Sequence, residues 1–343
     1  ASNNTAVGTS ALTANTTGAQ NTAIGTASLT VNTTGLENFA GGYAALDANT
    51  TASYGTAVGA RALQSNTTGA NNTAVGKSAL LLNTTGTQNV AIGAAALDAN
   101  TTANNNVALG YAALTSNTTG ATNTSVGALS LQENTTAANN TAVGYLSLGA
   151  NTTGASNVAV GASALDANTT ASNNVGIGLN AAGGTTTGAD NIAIGTNSLL
   201  QNSTGTSNVG VGTYALNANT TASNNTAVGH SALTANTTGT QNTAVGKGAG
   251  QSITEGNQNT LLGYEAGDSI TTGYYNTAVG YQAGGISSGF YNATLGYLTM
   301  AGAVTTGDYN TSMGYATLFE LTSGANNLAL GKNAGRASSP SGS

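Results

Sequence analysis

Few side chains of this sequence could carry acid–base, nucleophilic or metal chemistry. The chain of 343 residues has one histidine, His230, and no cysteine, so a histidine-based triad and a His or Cys metal cluster both lack their ligands. Asp47, Asp98 and Asp166 share one position of the repeat described below, but they are three or four repeats apart. At about 4.8 Å per stacked strand, such residues lie too far apart for a carboxylate pair or a shared calcium ion. The sequence therefore predicts no enzyme activity, no cofactor and no metal site.

Charge is scarce, which excludes further classes of partner. Only 5% of the residues are charged, with five Lys and Arg against eleven Asp and Glu, so the chain cannot neutralise a nucleic-acid backbone. No run of about 18 apolar residues is present, so no membrane insertion is predicted. In a stack of repeats, a charge in any position would meet like charges about every 4.8 Å. Low charge is thus what a stacked structure requires.

The N-glycosylation pattern Asn-x-Thr recurs along the first two thirds of the chain. Its asparagines occupy one position of the repeat in 13 of the first 14 turns, and Thr185 is the exception. They are Asn15, Asn32, Asn49, Asn66, Asn83, Asn100, Asn117, Asn134, Asn151, Asn168, Asn202, Asn219 and Asn236. These residues are candidates either for glycosylation or for a ladder of stacked side-chain amides. Because the repeat itself multiplies the pattern, its frequency favours the ladder.

Tyrosines are concentrated after about residue 246, where eight of the 13 occur. Their spacing predicts two ladders, one of Tyr281, Tyr297 and Tyr315 and the other of Tyr275, Tyr291 and Tyr309. One interpretation is thicker packing in this part of the chain. The other is an exposed aromatic stripe that faces a ligand, either a sugar or another protein.

A 17-residue repeat must position all of these side chains. One glycine, which we call the marker glycine, recurs every 17 residues from Gly8 to Gly280 and then at Gly296, Gly314 and Gly331. The consensus is Asn-Thr-Ala-Val-Gly-x-x-Ala-Leu-x-x-Asn-Thr-Thr-Gly-x-x. Its alternating segment, rich in β-branched residues, is typical of a short strand. The sequence therefore predicts an all-β protein, a parallel β-solenoid (β-roll or β-helix) of about 20 coils.

Individual positions of the repeat lead to further predictions. We expect one Val and one Leu per coil in the core, as in Val58 and Leu63. The Asn four residues before the marker glycine is replaced only once, by Gly55, which indicates a left-handed or tight-turn backbone. The invariant marker glycine indicates close approach of the next coil. The glycine of Asn-Thr-Thr-Gly, which we call the corner glycine, is replaced by alanine in several coils, so it should not need a positive φ.

A core this small predicts a partner. About two large apolar residues per coil contribute roughly 1.5–3 kcal/mol each, against about 1–2 kcal/mol of backbone entropy for every ordered residue. We therefore expect a homotrimer, intertwined or side by side.

The sequence divides into regular repeats (1–245), Tyr- and Gly-rich variant repeats (246–335) and a linker or tail (336–343). We expect the chain to be a segment of a longer polypeptide.

Two groups of fibrous proteins share the motif. Asn-Thr-Ala-Val-Gly at 4–8, 72–76 and 225–229 resembles the head repeats of trimeric autotransporter adhesins (YadA-like). The segment 276–284, Asn-Thr-Ala-Val-Gly-Tyr-Gln-Ala-Gly, resembles repeats of bacteriophage tail fibres. The adhesin repeat is typically shorter than 17 residues, so the shape of its coil does not transfer.

The resemblance implies a structural fibre or shaft, trimeric and extracellular, on a cell surface or a virion. Such a fibre acts as a rigid spacer. One alternative is a binding module, which is either an adhesin that contacts cell-surface glycans or a host receptor, or an ice-binding protein. Ice binding is disfavoured because the Thr pairs are adjacent and no Thr-x-Thr strand is present. The other alternative is a self-polymerising filament that carries glycans.

Overall fold

The structure, a computed structural model, describes residues 2–302 and 306–335. Its contacts divide the chain into two compact units, Ala1–Asn173 and Asn174–Ser343. Both units are built from coils with one three-residue strand each, and the described residues contain no helix. The sequence-based boundary at 245/246 lies inside the second unit. The predicted tail, 336–343, lies outside the described residues.

Ten strands belong to each unit. Those of the first unit are β1 (Thr5–Val7), β2 (Thr22–Ile24), β3 (Phe39–Gly41), β4 (Thr56–Val58), β5 (Thr73–Val75), β6 (Val90–Ile92), β7 (Val107–Leu109), β8 (Thr124–Val126), β9 (Thr141–Val143) and β10 (Val158–Val160). Those of the second are β11 (Val175–Ile177), β12 (Ile192–Ile194), β13 (Val209–Val211), β14 (Thr226–Val228), β15 (Thr243–Val245), β16 (Thr260–Leu262), β17 (Thr277–Val279), β18 (Ala293–Leu295), β19 (Thr311–Met313) and β20 (Leu328–Leu330).

Within each unit, every strand pairs in parallel with the next strand of the chain. Equivalent repeat positions face each other, as in Ala57 opposite Ala74 in the first unit and Ala227 opposite Ala244 in the second. The register continues through the 16- and 18-residue repeats around β18, where Thr294 lies opposite both Ala278 and Ser312. Each unit is therefore a parallel β-solenoid, which confirms the fold that the repeat predicts.

The strands are oriented opposite to the expected core. From β2 to β20 the middle residue of each strand is buried, whereas neither end residue is buried in any strand. Val58, expected in the core, is 39% exposed, and Ala57 beside it is fully buried. The prediction of one Val and one Leu inside each coil was thus wrong for the valine. The interior beneath the strand admits a methyl group, and the branched side chains point outward.

Leucine is the large residue of the core, and its backbone is unusual. Twelve leucines are among the largest fully buried side chains, and Leu80 and Leu97 among them adopt a φ of +53°. A left-handed conformation costs about 1–2 kcal/mol, which offsets much of the roughly 1.5–3 kcal/mol gained by burying the side chain. The net contribution of each leucine to stability is therefore small.

Several of the variant repeats relieve this strain by repacking the core, whereas Met300 and Leu318 keep the left-handed backbone. Gly250 stands where earlier coils have leucine, at a φ of +60° that glycine adopts freely. A Cβ on Gly250 would lie 2.7 Å from Leu261 Cδ1 and 3.2 Å from Ile253 Cδ1. Leu261 occupies the buried middle position of β16, and Ile253 takes the ladder position of asparagine. The aliphatic side chains that fill the core therefore come from the middle of the strand and from the ladder position, and the former leucine position is glycine.

Two predictions about glycines hold, and one about asparagine does not. The marker glycines have φ between +103° and +142°, and a Cβ on Gly93 would lie 2.3 Å from the carbonyl oxygen of Gly110. The corner glycines are absent from the positive-φ residues. The Asn four residues before the marker is not left-handed, whereas the residue just before it is, as in Asn105 at +60° followed by Asn106. Hydrogen bonds of the buried Asn106 side chain explain the preference for asparagine there.

Candidate functional site

The outward side of the strands forms an uncharged surface on each unit, which we call the strand face. It consists of the first and third residues of every strand, and in all twenty strands these are Thr, Val, Ile, Leu, Phe, Met, Ala or Gly. Large apolar side chains are exposed on it, including Ile24, Ile92 and Leu109 in the first unit and Ile194 and Leu262 in the second. Contiguous apolar surface of this kind is typical of an interaction site.

The predicted asparagine ladder lies inside each unit. In the first unit Asn83 Nδ2 donates to Asn66 Oδ1 at 2.7 Å and to the carbonyl oxygen of Gly86 at 2.9 Å, and Asn100 Nδ2 donates to Asn83 Oδ1 at 2.8 Å. The ladder residues from Asn32 onward are buried. A glycan on Nδ2 would require that atom to be exposed, so in the folded chain these asparagines serve as a ladder.

The ladder ends where isoleucine replaces asparagine. Ile253 occupies the ladder position one coil after Asn236, and Asn236 Oδ1 is buried with no hydrogen-bond partner among the residues that the structure describes. A second asparagine column continues through the variant repeats, for example from Asn259 Oδ1 to the backbone N–H of Asn276 at 3.0 Å. Beyond Ile253, register between coils is therefore held by one column of side-chain amides instead of two.

Four tyrosines of the second unit stack after consecutive marker glycines, and we call them the first tyrosine ladder. Tyr264, Tyr281, Tyr297 and Tyr315 have ring centroids 5.0 to 5.2 Å apart and ring planes within 10° of parallel. Lysine ammonium groups lie over the terminal rings, Lys247 Nζ 5.6 Å from the centroid of Tyr264 and Lys332 Nζ 5.8 Å from that of Tyr315. The ladder is thus covered by a cation at both ends.

A second tyrosine ladder consists of Tyr275, Tyr291 and Tyr309, which stack at 4.8 and 5.2 Å. Beside it Tyr274 stacks on Phe290 at 5.0 Å, and the ring planes of Tyr274 and Tyr275 meet at 76°. The structure thus brings together all six predicted tyrosines in their two columns. Sequence reasoning missed Tyr264, Tyr274 and Phe290, although each follows the same 16- or 17-residue spacing.

Stacking determines what the ladders present to solvent. The faces of Tyr281, Tyr291 and Tyr297 are covered on both sides by neighbouring rings, so these residues offer ring edges and hydroxyl groups. Face-on stacking of a ligand requires an uncovered ring face, which only the end of a stack provides. Among the described residues no lysine or arginine lies over Tyr275, the first ring of the second ladder, unlike both end rings of the first ladder.

The ladders should be visible in an alkaline titration. Burial, followed by the neighbouring Tyr275, Tyr309 and Tyr274, raises the pKa of Tyr291 above that of a free phenol. Its phenol group therefore stabilises the fold below a pH of about 10, and this contribution is lost as the pH rises through the raised pKa. We expect a late-titrating component in the phenolate absorbance of the folded chain, reduced in Tyr291→Phe and absent in urea. A folded Tyr291→Phe curve identical to that of the wild type would contradict the stacked geometry.

Other chemistry-bearing residues lie apart from one another. His230 is exposed, and its Nδ1 lies 2.9 Å from Ser231 Oγ. Asp98 Oδ1 accepts a hydrogen bond from Thr115 at 2.8 Å, while burial raises the pKa of Asp166. Within 2–302 and 306–335, no group of three His, Asp or Glu residues is placed to hold a metal ion. The same residues include no helix that is long and apolar enough to cross a membrane.

Comparison with known proteins adds no relative to this description. No protein-family model matches the chain, and no curated protein matches it significantly. The resemblance to fibre and adhesin repeats therefore depends on the repeated motif alone.

Proposed function

We propose that the protein is a structural fibre or shaft, assembled as a homotrimer through its strand face and displayed outside a cell or on a virion as a rigid spacer. The observation that carries the proposal is the strand face, which bears no charge in any strand and exposes branched apolar side chains. Such a surface is typical of one that a second protein chain covers.

The thin core supports the same conclusion. With the valines pointing outward, most regular coils bury one leucine and a few alanines, and the leucine backbone is strained. Burial of the exposed Val and Ile columns against other copies would contribute about 25 cal/mol per Å² of apolar surface. Assembly through the strand face thus adds the apolar burial that a single chain lacks.

Amide ladders and backbone hydrogen bonds favour a stiff element over a flexible one. Coils are joined outside the strands as well, as in Thr67 N–H to Thr84 O at 2.9 Å, with Thr67 Oγ1 donating to the same oxygen at 3.0 Å. A coil can leave its place only if these bonds break together, because each lies between neighbouring repeats. Stiffness along the direction of stacking is the property that a spacer needs.

Light scattering of the purified chain tests the assembly. We expect a mass of three times the 33.0 kDa of one chain. A variant that places lysine at Val58, Ile92 and Val126 of the strand face should be monomeric, because it would bury three charges per chain at the interface. All three side chains point outward, so the substitutions leave the interior of the coils unchanged, and circular dichroism of the variant shows whether the monomer is folded.

The repeat offers a matched control. Ala60, Ala94 and Ala128 lie two residues further along the same coils, in the column where Lys77 occurs naturally. Lysine at these three positions should leave the mass of the assembly unchanged. A monomeric wild type would contradict the trimer, and equal effects of the two variants would contradict the strand face as its interface.

Ice binding by the strand face is the second candidate function. The observation in its favour is that Thr and Val point outward together from one strand, as in Thr73 and Val75. The structure places the adjacent Thr pairs elsewhere, in the turns, where Thr33 Oγ1 donates to the carbonyl oxygen of Thr50 at 3.0 Å. Inhibition of ice recrystallisation by the monomeric wild type, together with its loss on substitution of Thr73, would favour this function over the fibre.

A further inference from the structure

We propose that the second unit has a binding site for a neutral sugar where the second tyrosine ladder begins. The site is a shallow pocket of about 420 Å³ lined by Thr240, Gln241, Asn257, Gln258, Tyr274 and Tyr275. It consists of two aromatic rings on one coil and amide and hydroxyl groups on the two preceding coils. This volume lies within the range of pockets that hold small ligands.

The rings of Tyr274 and Tyr275, the first of their two stacks, provide the apolar part of the pocket. Tyr274 stacks on Phe290 and Tyr275 on Tyr291, both in the following coil. On the side of the preceding coil the corresponding positions hold Asn257 and Gln258, and among the described residues no ring or cation covers Tyr274 or Tyr275 there. The pocket thus begins where the aromatic stack stops.

Hydrogen-bonding groups surround these rings. Asn257 Oδ1 is engaged by Thr240, which donates its backbone N–H at 2.7 Å and its Oγ1 at 3.0 Å, and Asn257 Nδ2 donates to the carbonyl oxygen of Glu255 at 3.0 Å. These bonds hold Asn257 in place and leave one of its two amide protons for a ligand. The side-chain amides of Gln241 and Gln258 are exposed and make no hydrogen bond within the part of the chain that the structure describes.

The lining identifies the chemical class of ligand. No charged side chain lines the pocket, so it offers neither the cation that an acidic sugar or phosphate needs nor the anion that an amine needs. A neutral pyranose presents a C–H face that stacks on an aromatic ring and hydroxyl groups that both donate to and accept from amides. A right-angled aromatic corner beside two free amides matches that combination.

The repeat supplies variants that should fold. Tyr275→Gln and Tyr274→Asn restore the residues that the preceding coil carries in the same columns, Gln258 and Asn257. Gln258 also adopts the same left-handed backbone as Tyr275, with φ of +55° against +58°. Tyr309→Asn is the matched control, because it removes a ring from the far end of the same ladder and restores the residue of the following coil, Asn326.

Saturation-transfer NMR on the full chain tests the site, with methyl glucoside, methyl galactoside, N-acetylglucosamine, methyl mannoside and sialic acid as probes. We expect at least one neutral sugar to bind at millimolar concentration and sialic acid not to bind. Tyr274→Asn and Tyr275→Gln should each weaken binding by about tenfold or more, and Tyr309→Asn should leave it unchanged.

Three results would overturn the proposal: no binding of any neutral sugar, a preference for sialic acid, or equal loss in Tyr309→Asn. Circular dichroism of each variant shows whether a loss reflects unfolding. The proposal is independent of the fibre assembly. Sugar binding is measured by NMR and the number of chains by light scattering, so one proposal can fail while the other holds.

Discussion

Replacing the marker glycine Gly93 with alanine should lower the free energy of unfolding by at least about 3 kcal/mol. Two causes act together. The backbone of Gly93 has a φ of +136°, which an L-residue rarely adopts, and the new Cβ would lie 2.3 Å from the carbonyl oxygen of Gly110 and 2.6 Å from its carbonyl carbon. Both contacts are backbone atoms of the next coil, so no side chain can move aside. Urea unfolding followed by circular dichroism measures the loss.

Gly86→Ala is the control for this variant, since it adds the same methyl group in the adjacent corner. A Cβ on Gly86 would also lie 2.4 Å from the carbonyl oxygen of Ala103 and 2.4 Å from Asn83 Oδ1. However, Gly86 has no positive φ, and Ala103 itself occupies the equivalent corner of the next coil. A small shift of the corner therefore accommodates the methyl group, and we expect a change of less than about 1 kcal/mol. Equal destabilisation by the two variants would show that φ at the marker position is unimportant.

Asn106→Asp should be strongly destabilising to the first unit. Asn106 is fully buried, and its Nδ2 donates to the carbonyl oxygen of Gly120 at 2.9 Å, while its Oδ1 accepts from the backbone N–H of Asn123 at 2.9 Å. The substitution places a carboxylate oxygen against the Gly120 carbonyl in the interior. An uncompensated buried charge costs about 3–5 kcal/mol, which urea unfolding at neutral pH would detect.

The pH dependence of this variant has a definite sign. Burial and the opposing carbonyl raise the pKa of the introduced carboxyl above the ordinary value of about 3.9. Below that ordinary value the carboxyl is protonated in both states and can donate to Gly120, so most of the stability returns. Stability relative to the wild type then falls as the pH rises toward the raised pKa. A pH-independent deficit would contradict this explanation.

Asn105→Asp is the matched control, one residue away in the chain. Asn105 is exposed and left-handed at a φ of +60°, and another coil carries Asp190 in this column at +59°. Aspartate tolerates that conformation, and a solvated charge there costs little. We expect a change of less than about 0.5 kcal/mol at every pH. The pair thus separates burial of the amide from the mere addition of a negative charge.

Sequence alone was sufficient to predict the features that recur in register. Glycine at Gly93 and its equivalents implied close approach of coils, which the Gly110 carbonyl oxygen confirms. The ladder of Asn66, Asn83 and Asn100 follows from identical residues one repeat apart. Such predictions succeed because residues one repeat apart in the sequence are neighbours in adjacent coils of the structure.

Three features could not be predicted from the sequence. The left-handed backbone of Leu80 is one, because leucine has no intrinsic preference for this conformation and adopts it here where the path of the coil requires it. The position of the left-handed residue before Asn106 is another, since both Asn105 and Asn106 are compatible with it. The pocket at Tyr274 and Tyr275 is the third, because it depends on how these rings and the side chains of the two preceding coils are arranged in space.

The repeat by itself determined the register of the coils, the strand positions, the ladders and the low charge, because each follows from placing like residues beside like. The tertiary structure alone decided which side of the strand faces inward. Alternation of Thr, Ala and Val at Thr56–Val58 requires that the alanine point opposite to its neighbours, but the pattern is the same whichever side is the core. Where leucine fills the core, as Leu63 does in this coil, the interior beneath the strand holds the methyl group of Ala57, so Ala57 is buried and Val58 is exposed. That choice creates the uncharged strand face on which the proposed assembly depends.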